Sequence, residues 1–277
     1  MRLEGKAAIV TGGAGALGSA AACALAREGA SVLVADIDLP GADRVVKAIH
    51  DAGGIAVSCR VDVGVETEIR SMVDTAVRTF GGLDVLFNNA GLVGLEHKVD
   101  LLSLDVELWD RVLAVNLRSV MLGCKHAVPA MRARGGGSII NTSSDSSLGG
   151  DIVNYAYASA KAGVNTLTRY VATSFGRDGI RCNAIAPGIH LRTEDREAIA
   201  REGGARARRF DRFEEHCLIP RLGTPEDISN MVVFLASEES SYITAQLIQV
   251  DGGLVGQLPH VTDERRDAAA LEVTGER

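Results

Sequence analysis

Cysteines are few in this sequence, and they are not spaced in pairs. The chain has 277 residues and five thiols. They are Cys23, Cys59, Cys124, Cys182 and Cys217. A disulfide-stapled fold or a cysteine-ligated zinc site needs paired cysteines at short spacings. We therefore predict reduced thiols, no bound metal and a cytoplasmic location.

An excess of positive charge and long apolar runs are also absent. The formal net charge is -7, whereas nucleic acid and anionic membrane surfaces bind a basic face. Nowhere do about 18 uncharged apolar residues follow one another, as a membrane-spanning helix requires. The apolar run at 7–10 is too short for the core of a signal peptide. These absences predict no nucleic-acid partner, no membrane partner and no export.

No linker rich in proline, glycine or serine divides the chain, and no internal repeat is present. A chain of this length can bury one large core. We predict a single domain over 1–254, in which the charged stretch 189–220 is a lid insertion. A C-terminal extension follows over 255–277, which we interpret as a disordered or surface-docked terminus.

Short β-branched segments alternate with longer segments of helical periodicity, which is typical of a parallel sheet with crossover helices. Seven strands are predicted, near 6–11, 31–36, 55–61, 83–88, 137–143, 180–185 and 246–250. Helices are predicted near 16–28, 41–52, 65–80, 105–133, 155–177 and 225–237. Several strands are continuously apolar, which indicates that helices cover both faces of the sheet. The predicted fold class is therefore α/β.

A glycine-rich turn follows the first predicted strand. Its sequence is Gly12-Gly13-Ala14-Gly15-Ala16-Leu17-Gly18. Glycines let the backbone approach a pyrophosphate closely, and the start of the next helix offers it free N–H groups and a positive dipole end. The turn alone is weak support for a dinucleotide site, since a tight strand-to-helix turn has the same composition.

Acidic residues end the next two strands and strengthen this interpretation. Asp36 lies near the spacing of about 20 residues at which a carboxylate accepts hydrogen bonds from the adenosine ribose. Because Ile37 offers no cation to a ribose phosphate, NAD(H) is predicted over NADP(H). A turn cap is the alternative role for Asp36. Asp62, followed by Val63, is predicted either to contact the adenine or to cap a helix.

The fourth strand ends in small and amide-bearing residues, Asn88-Asn89-Ala90-Gly91. Asparagines at strand ends often bond only their own backbone. Here they fall at the carboxyl edge of the sheet, where ligands bind in open α/β folds. We therefore assign Asn89, Ala90 and Gly91 to the cofactor cleft.

Tyr157 and Lys161 are four residues apart in a predicted helix, so their side chains share one face. A phenol needs a nearby cation to act as a base near neutral pH. An ammonium about 5 Å away at an effective dielectric of about 20 favours the phenolate by roughly 3 kcal/mol, a little over two pKa units. The pair predicts a proton-transfer site, and a surface pair is the alternative.

Two further polar positions accompany this pair. The fifth strand runs into hydroxyl residues that end at Ser144, at the same sheet edge as the glycine turn. Its serines are predicted to donate to a substrate oxygen that gains negative charge. Asn116 interrupts an apolar helix, where packing alone favours an aliphatic residue. A hydrogen-bonded core amide is its alternative role.

In this order, the motifs resemble the short-chain dehydrogenase/reductase family over 1–253. The matching pieces are the turn Thr11 to Gly18, Asn88 to Gly91, Asn116, Ser144, Tyr157 with Lys161, Pro187-Gly188, and Val250-Asp251-Gly252-Gly253. The resemblance implies a Rossmann-type doubly wound sheet, a homotetramer, and hydride transfer between NAD(H) and a secondary alcohol or ketone. Ala16 departs from the family, which usually has glycine at this position of the turn.

The resemblance also implies roles for single residues. Ser144 positions the substrate oxygen, and Tyr157 exchanges the proton. Lys161 binds the nicotinamide ribose and lowers the pKa of the tyrosine, while Asn116 supports a water-mediated proton relay through Lys161. Ile189, after Pro187 and Gly188, lies beside the nicotinamide carboxamide. The predicted cofactor site therefore also includes the end of the sixth strand.

Two other functions remain open at this point. One is a 3-oxoacyl-carrier-protein reductase, which generally uses NADPH and is disfavoured by Asp36. The other is a non-catalytic NAD-binding scaffold protein, disfavoured by the intact set of catalytic residues. The substrate is not specified by the residues expected to line its pocket, Val93, Leu95, Ser146, Leu148, Ile152 and Val153.

The predicted lid carries six arginines, Arg196, Arg201, Arg206, Arg208, Arg209 and Arg212. They hint at an anionic substrate. Acidic residues interleave with them, however, which favours a solvated helix face.

Overall fold

The structure is a computed structural model that describes residues 1–93, 99–258 and 260–265. Its strands are β1 (Ala7–Thr11), β2 (Ser31–Asp36), β3 (Ile55–Arg60), β4 (Val85–Asn88), β5 (Gly137–Thr142), β6 (Ile180–Pro187) and β7 (Leu247–Val250). All pairings are parallel and the strand order is β3-β2-β1-β4-β5-β6-β7. The predicted seven-stranded doubly wound sheet is confirmed. Between β1 and β4 the order reverses, which creates the crevice where such sheets bind ligands.

Helices lie between the strands and cover both faces. They are α1 (Ala16–Arg27), α2 (Leu39–Asp51), α3 (Glu66–Phe80), α4 (Val106–Leu113), α5 (Ser119–Ala133), α6 (Tyr155–Phe175), α7 (Thr193–Glu202), α8 (Gly204–His216) and α9 (Pro225–Ala236). A π-helical turn, Ala114–Arg118, separates α4 from α5. The prediction of a single helix at 105–133 is therefore wrong, because the structure has three helical segments there. A π-helical turn contains one residue more than an α-helical turn, and this difference is too small to disturb the apolar pattern of the sequence.

Successive side chains of β2 point to opposite faces of the sheet, and each face has its own apolar core. Val32 and Val34 pack with α1, α2 and α9 on one face, whereas Leu33 packs with α3, α5 and α6 on the other. All three side chains are fully buried. Burial of each such side chain contributes about 1.5–3 kcal/mol relative to exposure, so packing on both faces stabilises the sheet.

The predicted lid stretch contains the helices α7 and α8. Gly203 and Gly204 join them with φ of 66° and 76°, a left-handed region that favours glycine. The tail packs against this lid through Thr262, whose hydroxyl lies 2.8 Å from Nδ1 of His216. The described part of the C-terminal extension is therefore docked on the protein surface, and 266–277 lie outside the described residues.

Several expectations from composition can be compared with the described residues. All five cysteines are described, and none is disulfide-bonded. No helix in the described ranges is long and apolar enough to cross a membrane. The same ranges contain no cluster of side chains suited to hold a metal ion.

Apolar side chains on the helices near 105–133 and 155–177 bear on the homotetramer that the resemblance implies. The sequence places more apolar residues there than one sheet face needs, which predicts a contact surface between subunits; they are Leu113, Val120, Met121, Val164 and Leu167. Val120 and Val164 are instead buried within the subunit, at 2% and 0% exposure, while Met121 is 39% exposed. The homotetramer therefore stays a prediction that rests on the family resemblance.

Candidate functional site

The glycine turn is packed so tightly that side chains are excluded. Gly12 has φ of 63°, and a Cβ there would lie 2.8 Å from Cα of Ala90. A Cβ on Gly18 would overlap the carbonyl oxygen of Gly12. By contrast, a Cβ at Gly15 would meet nothing nearer than 3.3 Å. The turn therefore brings backbone, rather than side chains, to the open end of β1.

Asp36 binds the glycine turn directly. Its Oδ2 accepts a hydrogen bond from N of Ala14 at 2.9 Å, and its Oδ1 accepts one from N of Asp38 at 3.0 Å. Asp36 therefore caps a turn, as the alternative interpretation held, and it also lines the cleft described next. The two roles coexist because a carboxylate has about four lone-pair positions.

A cleft of about 490 Å³ runs along the carboxyl ends of β1, β2 and β4. Eleven of the residues assigned to the cofactor line it, namely Gly12, Gly15, Ala16, Leu17, Asp36, Ile37, Asp62, Val63, Asn89, Ala90 and Gly91. Val61, Leu92, Val93, Arg111 and Val115 complete the lining. Asp62 also caps its own turn, because Oδ1 accepts a hydrogen bond from N of Gly64 at 2.8 Å. Spacing along the chain had singled out most of this surface, but not Arg111 on α4.

Asn89 connects the end of β4 to the glycine turn. Its Nδ2 donates to the carbonyl oxygens of Thr11 at 3.1 Å and Gly12 at 3.3 Å. The Thr11 hydroxyl in turn accepts from N of Asn89 at 3.0 Å and N of Ala90 at 3.1 Å. These bonds fix the two sides of the crevice relative to each other.

Tyr157, Ser144 and Lys161 meet at the carboxyl end of β5. The hydroxyls of Tyr157 and Ser144 are hydrogen-bonded, and Nζ of Lys161 lies 5.5 Å from the centroid of the Tyr157 ring. Lys161 is 2% exposed, and its Nζ donates to the carbonyl oxygen of Thr142 at 2.8 Å. The buried position excludes the surface pair that was the alternative for this motif.

Burial dominates the titration of these groups. It raises the pKa of the Tyr157 phenol, against the lowering effect of the Ser144 hydrogen bond. Burial also lowers the pKa of the Lys161 ammonium to about 8. The sequence argument counted the ammonium charge but not the loss of solvent around both groups, so it did not foresee the raised pKa of the Tyr157 phenol. The lowering effect of Lys161 on that pKa stays a prediction.

Asn116 lies in the π-helical turn and is fully buried. Its Nδ2 donates to the carbonyl oxygens of Leu92 and Val112, both at 3.0 Å. Its Oδ1 is buried and has no hydrogen-bond partner among the described residues. A Cβ on Gly91 would lie 2.8 Å from that oxygen and 3.7 Å from Nζ of Lys161. Gly91 therefore leaves a polar space between the amide and the ammonium.

A second cavity, of about 580 Å³, lies beside the cleft and shares Val93 with it. Ser144, Tyr157, Gly188 and Ile189 line it, so the Tyr157 and Ser144 side chains face this space. Of the six residues expected around the substrate, Val93 and Ser146 line it, whereas Leu148, Ile152 and Val153 do not; Leu95 lies outside the described residues. Four of the predicted site residues line neither cavity, namely Gly18, Asn116, Lys161 and Pro187.

Sequence reasoning assigned no role in the second cavity to several residues that line it, among them Asp145 and Asn154, and it left the role of Arg209 open. Asp145 follows Ser144 directly, and its Oδ1 accepts from the Ser144 hydroxyl at 3.0 Å; no spacing marked it. Asn154 precedes α6 with φ of 64°, and its Oδ1 is buried without a partner among the described residues. Arg209 reaches the cavity from α8, which a charge run could not separate from its solvated neighbours.

Known proteins resemble the chain over nearly its whole length. The sequence profile of a family described as enoyl-(acyl carrier protein) reductase matches residues 12–255. A probable short-chain type dehydrogenase/reductase of Bradyrhizobium diazoefficiens is 40% identical over 97% of this chain and 94% of that protein. The cis-4-hydroxycyclohexanecarboxylate dehydrogenase of Sinomonas cyclohexanicum is 40% identical over 90% of this chain and 96% of that protein.

A solved structure gives the same picture. It is 7α-hydroxysteroid dehydrogenase in complex with NADH and 7-oxo glycochenodeoxycholic acid, and it superposes on this chain with a TM-score of 0.83. The identity is 34%, and the superposition covers 91% of this chain and 95% of that one.

Proposed function

Because this chain belongs to the short-chain dehydrogenase/reductase family, we propose that it transfers a hydride between NAD(H) and a secondary alcohol or its ketone. Membership of the family makes it an oxidoreductase. One observation carries the finer proposal: Tyr157, hydrogen-bonded to Ser144, faces a cavity that adjoins the cleft built by the glycine turn. Two relatives support the substrate type. One is named for a hydroxycyclohexanecarboxylate, which carries a ring hydroxyl, and the other was solved with a 7-oxo compound.

The cleft fits a dinucleotide on three observations. Its volume of about 490 Å³ is in the range of small-molecule sites. Side chains are excluded where a pyrophosphate would need backbone N–H groups, at Gly12 and Gly18. Asp36 carries the carboxylate that would accept hydrogen bonds from the adenosine ribose. When bound, NAD(H) would supply or accept the hydride.

The chain's own residues then handle the proton. In ketone reduction, the Tyr157 hydroxyl gives its proton to the substrate oxygen, which the Ser144 hydroxyl holds by a hydrogen bond. In alcohol oxidation the proton moves from the substrate hydroxyl to the Tyr157 oxygen. Burial raises the Tyr157 pKa, which keeps the phenol protonated and ready to act as the acid in reduction.

Lys161 and Asn116 would connect Tyr157 to further proton acceptors. Lys161 holds its ammonium against the carbonyl of Thr142 and close to the tyrosine ring. The Oδ1 of Asn116, which has no hydrogen-bond partner among the described residues, borders the same space beside Gly91 as this ammonium. A water molecule between them would satisfy both groups, which supports the proton relay expected from the resemblance.

An absorbance assay of nicotinamide tests the proposal. The purified protein is offered a panel of secondary alcohols, ketones and a 3-oxoacyl thioester, each with NAD(H) and with NADP(H). We expect turnover of alcohols or ketones with NAD(H). Turnover of the thioester with NADPH alone would instead support the 3-oxoacyl-carrier-protein reductase. NADH binding without any turnover would support the scaffold protein.

A further inference from the structure

One arginine of the lid lines the second cavity, the one that Tyr157 and Ser144 face. The helix α8 carries four arginines, at 206, 208, 209 and 212. Only Arg209 among them lines the 580 Å³ cavity that Tyr157 and Ser144 also line. Phe213 and His216 line it as well, at the offsets of four and seven residues that share a helix face. The helical period therefore places Arg209, unlike the other three arginines of α8, on the helix face that lines this cavity.

The Arg209 guanidinium is held but not neutralised. Its Cζ lies 5.6 Å over the centroid of the Phe213 ring, and no described carboxylate forms an ion pair with it. Arg196 differs, because its guanidinium binds Asp211 at 2.8 Å and Glu214 at 3.0 Å. Stacking on a ring fixes the plane of a guanidinium and leaves the N–H edge free for a carboxylate. Arg209 therefore offers a charged donor to the cavity that it lines.

The remaining charges of the cavity leave this donor without an internal partner. Asp145 lines the cavity too, but its Oδ1 accepts from the Ser144 hydroxyl at 3.0 Å and from N of Ser146 at 2.7 Å. Asp151 is exposed at the cavity rim. Among the described lining residues Arg209 is the only arginine or lysine. Much of the lining is apolar or glycine, including Val93, Ile189, Gly149, Leu254, Val255 and Leu258.

We propose that Arg209 binds a carboxylate of the substrate, so that the substrate class is a secondary alcohol or ketone with an apolar body and a carboxylate remote from the reacting carbon. The inference rests on the proposed function, because it assigns the reacting carbon to Tyr157 and the acid group to the lid. It makes Arg209 a specificity-determining residue of the same site.

Paired substrates test the inference. A panel of ring-bearing hydroxy acids, 4-hydroxycyclohexanecarboxylate among them, is compared with the corresponding methyl esters as substrates of the full chain with NAD. We expect kcat/KM for the acids to exceed that for the esters by at least about tenfold, as a charge-assisted hydrogen bond provides. Because Arg209 is exposed, the preference should shrink as ionic strength rises.

Two variants on α8 test whether Arg209, rather than the general positive charge of the helix, causes the preference for acids. Arg209→Gln should lower kcat/KM for the acids by about tenfold or more, mainly through KM, and should leave the esters unchanged. Arg208→Gln removes an exposed arginine that does not line the cavity, and it should leave the acid preference intact.

Each outcome bears on one of the two proposals. Equal turnover of acids and esters by the wild-type chain would overturn the carboxylate site and leave the proposed function standing. An equal loss for acids and esters in Arg209→Gln would also overturn it. Failure of every alcohol and ketone to react would overturn the proposed function, and this inference with it.

Discussion

Nζ of Lys161 donates a hydrogen bond to the carbonyl oxygen of Thr142 at 2.8 Å, and this bond joins α6 to the last residue of β5. Thr142 is the last residue of β5, and it pairs with Ile185 of β6. The ammonium is thus fixed beneath Tyr157 by the backbone rather than by a carboxylate. Because no acid neutralises it among the described residues, its charge is sensitive to burial.

That burial predicts a pH-dependent contribution of Lys161 to stability. Its pKa is about 8 in the folded chain against an ordinary value of 10.5. Between these values the unfolded chain binds more protons, so Lys161 makes folding more favourable as pH rises through this window. The free energy of unfolding of the wild type, minus that of Lys161→Met, should increase by up to about 1 kcal/mol per pH unit.

Urea titrations at about pH 7 and about pH 10 measure this difference. Lys47→Met is the matched control, since the Lys47 side chain is 74% exposed on α2, and its difference should not change with pH. A difference for Lys161→Met that stays flat or falls with rising pH would contradict the buried ammonium.

Tyr157→Phe is expected to lower kcat by roughly 1,000-fold, because it deletes the proton-transfer hydroxyl and keeps the ring. NADH affinity should change by less than about threefold, since Tyr157 lines the neighbouring cavity rather than the dinucleotide cleft. Nicotinamide absorbance reports turnover, and fluorescence titration reports binding. Tyr155→Phe, on the same helix but outside the cavity lining, should retain activity. A Tyr157→Phe variant with substantial turnover would remove Tyr157 from the mechanism.

The sheet and its cleft were predictable because their determinants are local. A run such as Val32 to Val34 is apolar on both faces, and glycines mark the places where backbone contacts backbone. The spacing from the turn to Asp36 reflects the length of one helix and one strand. Each of these constraints involves residues that are close together in the sequence. They can therefore be recognised without knowing which distant segments pack against them.

The remaining features depend on contacts between distant segments. The raised pKa of Tyr157 comes from solvent excluded by several segments, and no spacing in the sequence encodes that. The π-helical turn that holds Asn116 adds one residue to a helix without disturbing its apolar pattern. Arg209 differs from Arg208 only in the direction it faces after α8 docks. Composition alone could therefore not distinguish a ligand contact from a solvated charge.

Gly18→Ala should weaken NADH binding by more than about tenfold, although alanine is the better helix former. The added Cβ would overlap the carbonyl oxygen of Gly12, which also accepts from Nδ2 of Asn89, so the turn must shift. Isothermal titration with NADH measures the loss. Gly176→Ala is the control, because a Cβ there meets nothing within 4 Å. Unchanged affinity in Gly18→Ala would mean that the turn does not shape the cofactor site.

The preference between the two nicotinamide cofactors follows from Asp36. Its carboxylate can accept a hydrogen bond from a ribose hydroxyl but repels a ribose phosphate. Two unit charges about 5 Å apart at an effective dielectric of about 20 repel by roughly 3 kcal/mol, about a hundredfold before flexibility and solvent reduce it. We therefore expect wild-type kcat/KM to favour NAD(H) over NADP(H) by at least about tenfold.

The structure changes what a variant at this position should show. Asp36 also accepts hydrogen bonds from N of Ala14 and N of Asp38, so Asp36→Ala with Ile37→Arg loosens the turn as it removes the charge. That double variant should reverse the ratio of the two efficiencies while lowering both. Asp36→Asn keeps an amide oxygen that can accept one of these bonds, so it should relax the ratio at a smaller loss of NADH efficiency. Equal wild-type efficiency with both cofactors would show that Asp36 acts on the turn alone.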